Sequence, residues 1–355
     1  MEPTLIADSA AQRRLPQDRL HAHRRRRLAL LLLCATGLLL LLGLMVGSQG
    51  FSWAAFREDL AGPQAALILG DIRAPRTIGA LLVGALLGLA GAIAQGLFRN
   101  PLADPYLLGA AAGASLAVVL VLAASALAGH SISLATAAWL SRLSLVGSAF
   151  VGALLGVTLT LLLARGAQHS MRLLLAGVVV GVVLGAVTDL ATTWSPEALR
   201  GKQMFMLGST GYLSWNSVAV LGVGLLLALP LAWRLSRGLD ALSLGEDSAS
   251  SLGLPLPRLR WALVLLLAAC TGLAVSQAGL LAFVGLVSPH LVRRFAPSPQ
   301  AFLLPASAAA GAVLLTAADV LARGLIAPQE LPVGVLTALL GGSYLLWLLH
   351  RRGWA

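Results

Sequence analysis

Few side chains in this sequence are spaced for catalysis or metal binding. The single lysine, Lys202 in RGKQM, does not fit the GxxxxGK[ST] loop that cradles nucleotide phosphates. The sequence contains no HExxH, CxxC or Ser/His/Asp arrangement, and its six histidines are scattered: His21, His23, His130, His169, His290 and His350. We therefore expect a chain that is not an enzyme and binds neither a metal ion nor a cofactor. His290, beside Pro289, is expected to be a structural hydrogen-bonding residue rather than a haem ligand.

Ionisable residues within the apolar runs could instead carry ions or protons, as they do in ion-coupled carriers. The candidates are Asp189, near the end of one run, and Asp319, which precedes Arg323 by four residues and could pair with it on one helix face. So small a number of candidates weakens the ion-coupled carrier hypothesis without excluding it.

The elements that must position these residues are membrane helices. Hydrophobic residues make up 58% of the 355 residues and charged residues only 11%, whereas about a quarter of the residues in soluble domains are charged. Apolar runs of about 20 residues, long enough to cross a bilayer as helices, recur along the chain. We predict an all-α polytopic fold with ten spans, at about residues 28–48, 76–97, 106–128, 143–164, 172–193, 213–235, 260–279, 280–296, 302–323 and 332–350.

The distribution of charge predicts the orientation of these spans. Residues 1–27 are polar, end in HAHRRRR, and are interpreted as a cytoplasmic tail before an uncleaved first helix. With this tail inside, the cytoplasmic segments hold the whole formal excess of +11, in agreement with the positive-inside rule. The expected organisation is one ten-helix domain over residues 28–350, with residues 351–355 as a second cytoplasmic tail.

The longest polar connection is the cytoplasmic segment 234–260. Its stretch LDALSLGEDSASSLG has leucines at helical spacing with small and acidic residues between them. This pattern predicts short amphipathic helices outside the bilayer, although spacing alone fits a solvated loop equally well.

Five stretches together resemble the FecCD family of permease subunits, which serve ABC importers for ferric siderophores, haem and vitamin B12. They are DIRAPRTIGALLVGALLGLAGAIAQGLFRNPLADPYLLGAAAGASLA, RLLLAGVVVG, LSLGEDSASSLGL, GLLAFVGLVSPHLVRRF and ADVLARGLIAPQELPVGVLTALLGG, in the family's order and covering nearly all of the chain after residue 70. The resemblance implies a type II ABC importer permease fold with ten transmembrane helices. It also implies a permease dimer bound to two ATPase subunits and one periplasmic substrate-binding protein.

The resemblance implies that three arginines dock the substrate-binding protein. Arg73, Arg76 and Arg323 stand at the predicted outer ends of spans two and nine, where basic residues run against the insertion bias. In the family, matching arginines meet acidic residues on the two lobes of the binding protein. The alternative is local pairing, of Arg73 with Asp71 and of Arg323 with Asp319.

The resemblance also implies a coupling segment and a gate. Family members seat the stretch matching LSLGEDSASSLGL on the ATPase, which here implicates Leu244, Gly245, Glu246, Ala249, Leu252 and Gly253. The cytoplasmic gate would comprise Asn100, Leu102, Ser170 and Met171. Met171 departs from the small hydroxyl residue of the B12 type, and the alternative for Ser170 and Met171 is an ordinary helix start.

We therefore expect the permease subunit of an ATP-driven importer in the bacterial inner membrane, with both termini cytoplasmic. Its expected partners are a second copy of the chain, two ATPase subunits that use ATP and Mg²⁺, a periplasmic binding protein and membrane lipid, but no nucleic acid. Haem or a ferric siderophore is the expected substrate, and vitamin B12 is the alternative substrate. The alternative class of protein is an ion-coupled secondary carrier.

Overall fold

The computed structural model describes residues 3–47, 49–127, 134–164 and 170–351, and within these ranges the chain is built from helices. A π-helical turn, Ala66–Arg73, runs directly into α3, and a 3₁₀ turn, Pro105–Leu108, precedes α4. The α-helices are α1 Pro3–Met45, α2 Trp53–Ala61, α3 Ala74–Phe98, α4 Ala110–Leu127, α5 Leu134–Leu163, α6 Ser170–Thr192, α7 Pro196–Leu207, α8 Trp215–Ser243, α9 Glu246–Ser251, α10 Leu256–Ala278, α11 Val284–Phe295, α12 Gln300–Gly324 and α13 Val333–Arg351.

Each of the ten predicted spans falls on a helix, which confirms the all-α polytopic membrane fold. Among the described residues, seven helices are long and apolar enough to cross a membrane, and two shorter apolar segments lie at 110–125 and 333–348. The eighth predicted span, α11, has only 12 residues and rises about 18 Å, less than the roughly 30 Å hydrocarbon core. The number of complete crossings therefore stays a prediction.

The chain breaks between α10 and α11 at Gly279–Phe283, where the sequence runs on without a polar residue. Gly279 and Phe283 both adopt left-handed backbone angles, with φ of 70° and 67°, which ends one helix and redirects the next. Pro289, which predicts a kink or break, lies inside α11. Because proline has no N–H, it leaves the carbonyl of Gly285 without its helical donor.

Helix α3 forms the centre of the bundle. Nearly every residue from Thr77 to Leu97 is buried, and α3 contacts α8, α10, α11 and α12. Close approach depends on glycine: a Cβ on Gly84, Gly88 or Gly91 would overlap a backbone carbonyl, of Gly311, Ser307 or Gly285 respectively. Small residues allow membrane helices to pack backbone against backbone in this way.

The loops collect at two ends of the bundle. We name them the Arg76 end, which holds the start of α3, the α7–α8 loop and the α12–α13 loop, and the Asn100 end, which holds the end of α3, the start of α6 and α9. Ion pairs and hydrogen bonds join the segments within each end. This sorting of loops agrees with a chain that repeatedly crosses a membrane.

The predicted cytoplasmic loop needs adjustment at the element level. Helix α8 continues to Ser243, so the first ten residues of the predicted loop 234–260 are helix, and the short helix within it is the six-residue α9.

His290 on α11 packs its ring edge-on against Tyr344 of α13, with the ring centroids 5.8 Å apart. This ring contact joins the short helix α11 to the last helix of the chain.

Candidate functional site

A cavity of about 510 Å³ opens at the Asn100 end. Three of the four predicted gate residues, Asn100, Leu102 and Met171, lie on its wall although α4 and α5 separate them in sequence. The remaining lining residues are Phe98, Arg99, Ala103, Leu107, Leu174, Val178 and Glu246. The fourth predicted gate residue, Ser170, begins α6, and its side chain lies outside the described part of the structure.

The turn after α3 holds the first two gate residues in place. Arg99 ends α3 in the left-handed region, with φ of 51°, and redirects the chain. The Asn100 side-chain oxygen then accepts the N–H of Leu102 at 2.9 Å, an Asx turn that needs only a short polar side chain. The turn leaves Leu102 49% exposed beside the cavity, although large apolar side chains are usually buried.

Asp104 and Tyr106 continue this turn into the body of the protein. The Asp104 carboxylate accepts the N–H of Tyr106 at 2.8 Å and so caps the 3₁₀ turn. The Tyr106 hydroxyl donates to the carbonyl oxygen of Leu281 at 3.2 Å, in the break before α11. Burial raises the pKa of Asp104 to about 6, because it disfavours the charged carboxylate.

Met171 is more exposed than Leu102, the other apolar residue of the predicted gate. It is 75% exposed at the start of α6, and Leu174 and Val178 follow it along the cavity wall. Methionine is flexible enough to fill an irregular opening. Its side chain is accessible to a partner surface at the cavity mouth.

The predicted coupling residues surround α9. Gly245 and Gly253 flank the helix with positive φ angles of 112° and 74°, which glycine adopts readily. Leu244 and Leu252 are 70% and 65% exposed, whereas Ala249 is buried in the chain's own core. Contact between these six residues and an ATPase stays a prediction. Leu244 and Leu252 are the apolar residues among them that a partner can reach.

Glu246 connects α9 to the cavity and to α10. Its carboxylate lies 2.6 Å from a guanidinium nitrogen of Arg260 and 3.8 Å from one of Arg99. Arg99 immediately precedes the gate residue Asn100, and Glu246 itself lines the cavity. Coupling segment and gate turn are therefore neighbours in space, which their separation in the sequence does not reveal.

At the Arg76 end, the carboxylate of Asp319 is the centre of a buried network. Its Oδ1 accepts from Arg76 Nε at 3.1 Å and from the Thr210 hydroxyl at 2.5 Å, and its Oδ2 accepts from Arg323 Nη2 at 2.7 Å. The pairing of Asp319 with Arg323, four residues apart on α12, is confirmed. Arg76 also holds Glu330 through two hydrogen bonds, at 2.9 and 2.8 Å.

The other two predicted docking arginines are engaged inside the protein. Arg323, only 4% exposed, donates to the carbonyl oxygens of Gly43 and Val46 at the end of α1. Arg73 pairs with Asp59 of α2, instead of the predicted Asp71, and donates to the Leu44 carbonyl. Docking by all three arginines stays a prediction. The guanidinium groups of Arg73 and Arg323 bind partners inside the protein and so join parts of the fold.

Three residues at these two ends were not singled out by sequence. Glu330, Asp59 and Arg260 each form an ion pair with a predicted site residue. Glu330 lies in APQELPVG, part of a stretch that carries the family resemblance. Its role has no local signal, because its partner Arg76 is 254 positions away.

Comparison with known proteins places the chain among transport proteins. Residues 32–351 match the FecCD transport family. The chain belongs to that family. The resemblance found in the sequence is therefore confirmed, over a larger part of the chain than the motifs cover.

Similar proteins of this FecCD chain transport different molecules. The hemin transport system permease protein HmuU of Yersinia pestis is 40% identical over 79% of this chain and 83% of its own length. The Fe(3+) dicitrate transport system permease protein FecD of Escherichia coli K12 is 38% identical, over 88% and 94%. The vitamin B12 import system permease protein BtuC of an Escherichia coli O17:K52:H18 strain is 38% identical, over 91% and 95%.

A solved structure shares the fold of this FecCD chain. It is an inward-facing conformation of a metal-chelate type ABC transporter, with 26% sequence identity and a TM-score of 0.76. The match covers 93% of this chain and 99% of the other. The membrane permease fold expected from the sequence is thus confirmed, although the count of ten spans is not.

Proposed function

We propose that this chain is the permease subunit of an ATP-driven importer that carries an iron chelate, haem or a ferric siderophore, across the bacterial inner membrane. Two copies would form the pathway, with two ATPase subunits on the cytoplasmic side and a substrate-binding protein on the periplasmic side. Membership of the FecCD transport family and the likeness to a metal-chelate type ABC transporter support this proposal.

The observation that carries the proposal is the cavity at the Asn100 end. Asn100, Leu102 and Met171 surround it, and Glu246 of the coupling segment forms part of its wall. An importer must link a device that receives motion from an ATPase to a gate on the substrate pathway. Here a single ion-paired carboxylate lies between the two, which supports the assignment of the Asn100 end to the cytoplasmic side.

The chain would contribute mechanical and not covalent chemistry. ATP and Mg²⁺ would be used by the partner ATPases, whose closure would push on Leu244 and Leu252 beside α9. Because Glu246 pairs with both Arg260 and Arg99, movement of α9 would reach the turn that holds Leu102. Rigid-body shifts of packed elements are a common means of switching which side of a protein is open.

The Arg76 end would then face the periplasm and receive the substrate-binding protein. Of the three predicted docking arginines, Arg76 is paired with an exposed carboxylate, because the side chain of Glu330 is 49% exposed. Charged residues at an interface rim set orientation and speed association more than they add affinity. We expect Arg76 to supply the principal charged contact, with Arg73 and Arg323 holding the surface in shape.

Vitamin B12 is the second candidate substrate, because the B12 import permease BtuC matches this chain over 91% of its length. The described cavity is lined mainly by apolar side chains and has no cluster of His, Cys, Asp or Glu suited to a metal ion among the described residues. Such a wall suits a large chelate that a separate binding protein selects.

An uptake assay tests the proposal and separates the candidates. The permease, its ATPase and its binding protein would be reconstituted in vesicles and supplied with haem, a ferric siderophore or vitamin B12. We expect ATP-dependent uptake of an iron chelate, abolished when the Walker lysine of the ATPase is replaced. Uptake that persists with this variant would indicate an ion-coupled carrier, and uptake of vitamin B12 alone would replace the substrate assignment.

A further inference from the structure

Glu330 occupies the outward-facing edge of the Arg76 guanidinium. Arg76 Nη1 and Nη2 donate to the two carboxylate oxygens of Glu330, at 2.9 and 2.8 Å, while Nε donates to Asp319. This end-on geometry is the bidentate form in which arginine recognises a carboxylate. A carboxylate from another protein that approached Arg76 would need the same two N–H groups.

The two carboxylates on Arg76 differ in how firmly they are held. The side chain of Asp319 is fully buried and is shared with Arg323 and Thr210. The side chain of Glu330 is 49% exposed and lies in the loop between α12 and α13. An exposed ion pair contributes little stability because water competes for both partners. Glu330 is therefore the member of the network that can leave at low cost.

Charge balance argues that it must leave when another carboxylate arrives. Arg76 and Arg323 carry two positive charges, and Asp319 and Glu330 carry two negative charges, within one cluster of contacts. A third carboxylate added to this neutral cluster would meet two like charges with no free bidentate edge on Arg76. Like-charge contact at an interface opposes association.

We propose that Glu330 is a built-in competitor that holds the carboxylate site of Arg76 until an acidic side chain of the substrate-binding protein displaces it. This inference rests on the proposed docking of that protein at the Arg76 end. Each docking event exchanges one carboxylate for another on the same guanidinium edge. The exchange keeps Arg76 paired in both states and lowers the affinity of the docked complex, which favours release of the binding protein after delivery.

The test compares binding-protein affinity for the complete permease–ATPase complex carrying Glu330→Gln with that of the unaltered complex. Glutamine keeps the size of the side chain but cannot compete as an anion, so we expect affinity to rise about three- to fivefold. Glu58→Gln is the matched control, because Glu58 is exposed on α2 at the same end and its replacement changes net charge equally. This control is expected to leave affinity within about twofold.

A double-mutant cycle with Arg76→Gln shows whether Glu330 acts through Arg76. We expect Arg76→Gln to weaken docking and to abolish the gain produced by Glu330→Gln. A gain that persists without Arg76, or that Glu58→Gln reproduces, would overturn the competitor role. If Arg76→Gln weakens docking but Glu330→Gln leaves affinity unchanged or lowers it, the competitor role of Glu330 is also overturned. If Arg76→Gln leaves affinity unchanged, docking at Arg76 itself is refuted. Size-exclusion profiles and ATPase activity of each complex confirm that the variants assemble.

Discussion

At the scale of single residues, the turn after α3 depends on side chains that replace missing backbone hydrogen bonds. Asn100 and Asp104 each accept the N–H two residues ahead. Aspartate does this at a cost, since burial raises the pKa of Asp104 to about 6. With the folded-state pKa above the usual value near 3.8, the ionised group opposes folding above pH 6, and this penalty is relieved as pH falls toward 4.

Replacement of Asp104 by asparagine should remove this penalty and keep the cap. We expect Asp104→Asn to raise the unfolding temperature at pH 8 by about 2–4 °C, because the amide oxygen still accepts from Tyr106 and no charge is buried. The gain should shrink as pH falls and nearly vanish at about pH 3.5, where Asp104 is protonated in the folded protein and mostly protonated in the unfolded chain. Thermal unfolding in detergent at both pH values measures this. Asp247→Asn, at an exposed position of α9, is the control, and an equal gain at both pH values would contradict the explanation.

At the scale of elements, the packing of α3 determines what the bundle tolerates. Gly84, Gly88 and Gly91 lie against backbone carbonyls of α11 and α12, which cannot rotate away as a side chain could. The carbonyl of Gly285 faces Gly91 and is the one that Pro289 deprives of its helical donor. The carbonyl that lacks its helical donor is thus the one against which α3 packs at Gly91.

A methyl group at this contact surface should therefore be costly. We expect Gly88→Ala to destabilise the protein by about 1–3 kcal/mol, as overpacking of a filled core does, although alanine favours helices more than glycine. Gly37→Ala on α1 has nothing within 4 Å of the added Cβ and should be neutral or slightly stabilising. Thermal unfolding of the two variants compares them directly. Equal stability would mean that the helices can separate to admit the methyl group.

At the scale of the whole molecule, one chain leaves an extended apolar face on α6. Besides Met171, it exposes Leu175, Val182 and Leu190, at 66%, 67% and 55%. Lipid could cover such a face, but the cavity at its base is lined by Met171, Leu174 and Val178 of the same helix. We expect a second copy of the chain, and not lipid, to close a pathway that opens on this face.

Cysteine cross-linking tests this arrangement. The chain has two cysteines, Cys34 and Cys270, which can be replaced by serine and alanine to give a background without thiols. In this background, Met171→Cys should give a covalent dimer with a short bifunctional thiol reagent, because Met171 would line a pathway shared by two copies. Leu226→Cys, 72% exposed on α8, should stay monomeric. Cross-linking at residue 226 but not at 171 would place the dimer contact elsewhere.

The sequence predicted what depends on local pattern. Apolar runs located the helices, and four-residue spacing predicted the Asp319–Arg323 pair. The predicted boundary between spans seven and eight lies within one residue of Gly279. The sequence did not predict the cause of the break, because the left-handed backbone of Phe283 has no signature in composition. The partners of Arg73 and Arg76 were missed because ion pairs between distant segments depend on how the helices assemble. Likewise, nothing local shows that Ala249 of a six-residue helix would be buried.

The closed faces of α3 have a practical consequence for measurements of motion. The helix has 25 residues and so rises about 37 Å, roughly the thickness of the membrane. Arg76 lies near its first turn, and Arg99 follows its last. With neighbours that admit no added atom along much of its length, α3 provides a fixed baseline inside the protein. Spectroscopic labels placed within the first and last turns of α3, before the turn that follows Arg99, would keep a constant separation. Displacements of α6, α9 and the Glu330 loop can be measured against it during transport.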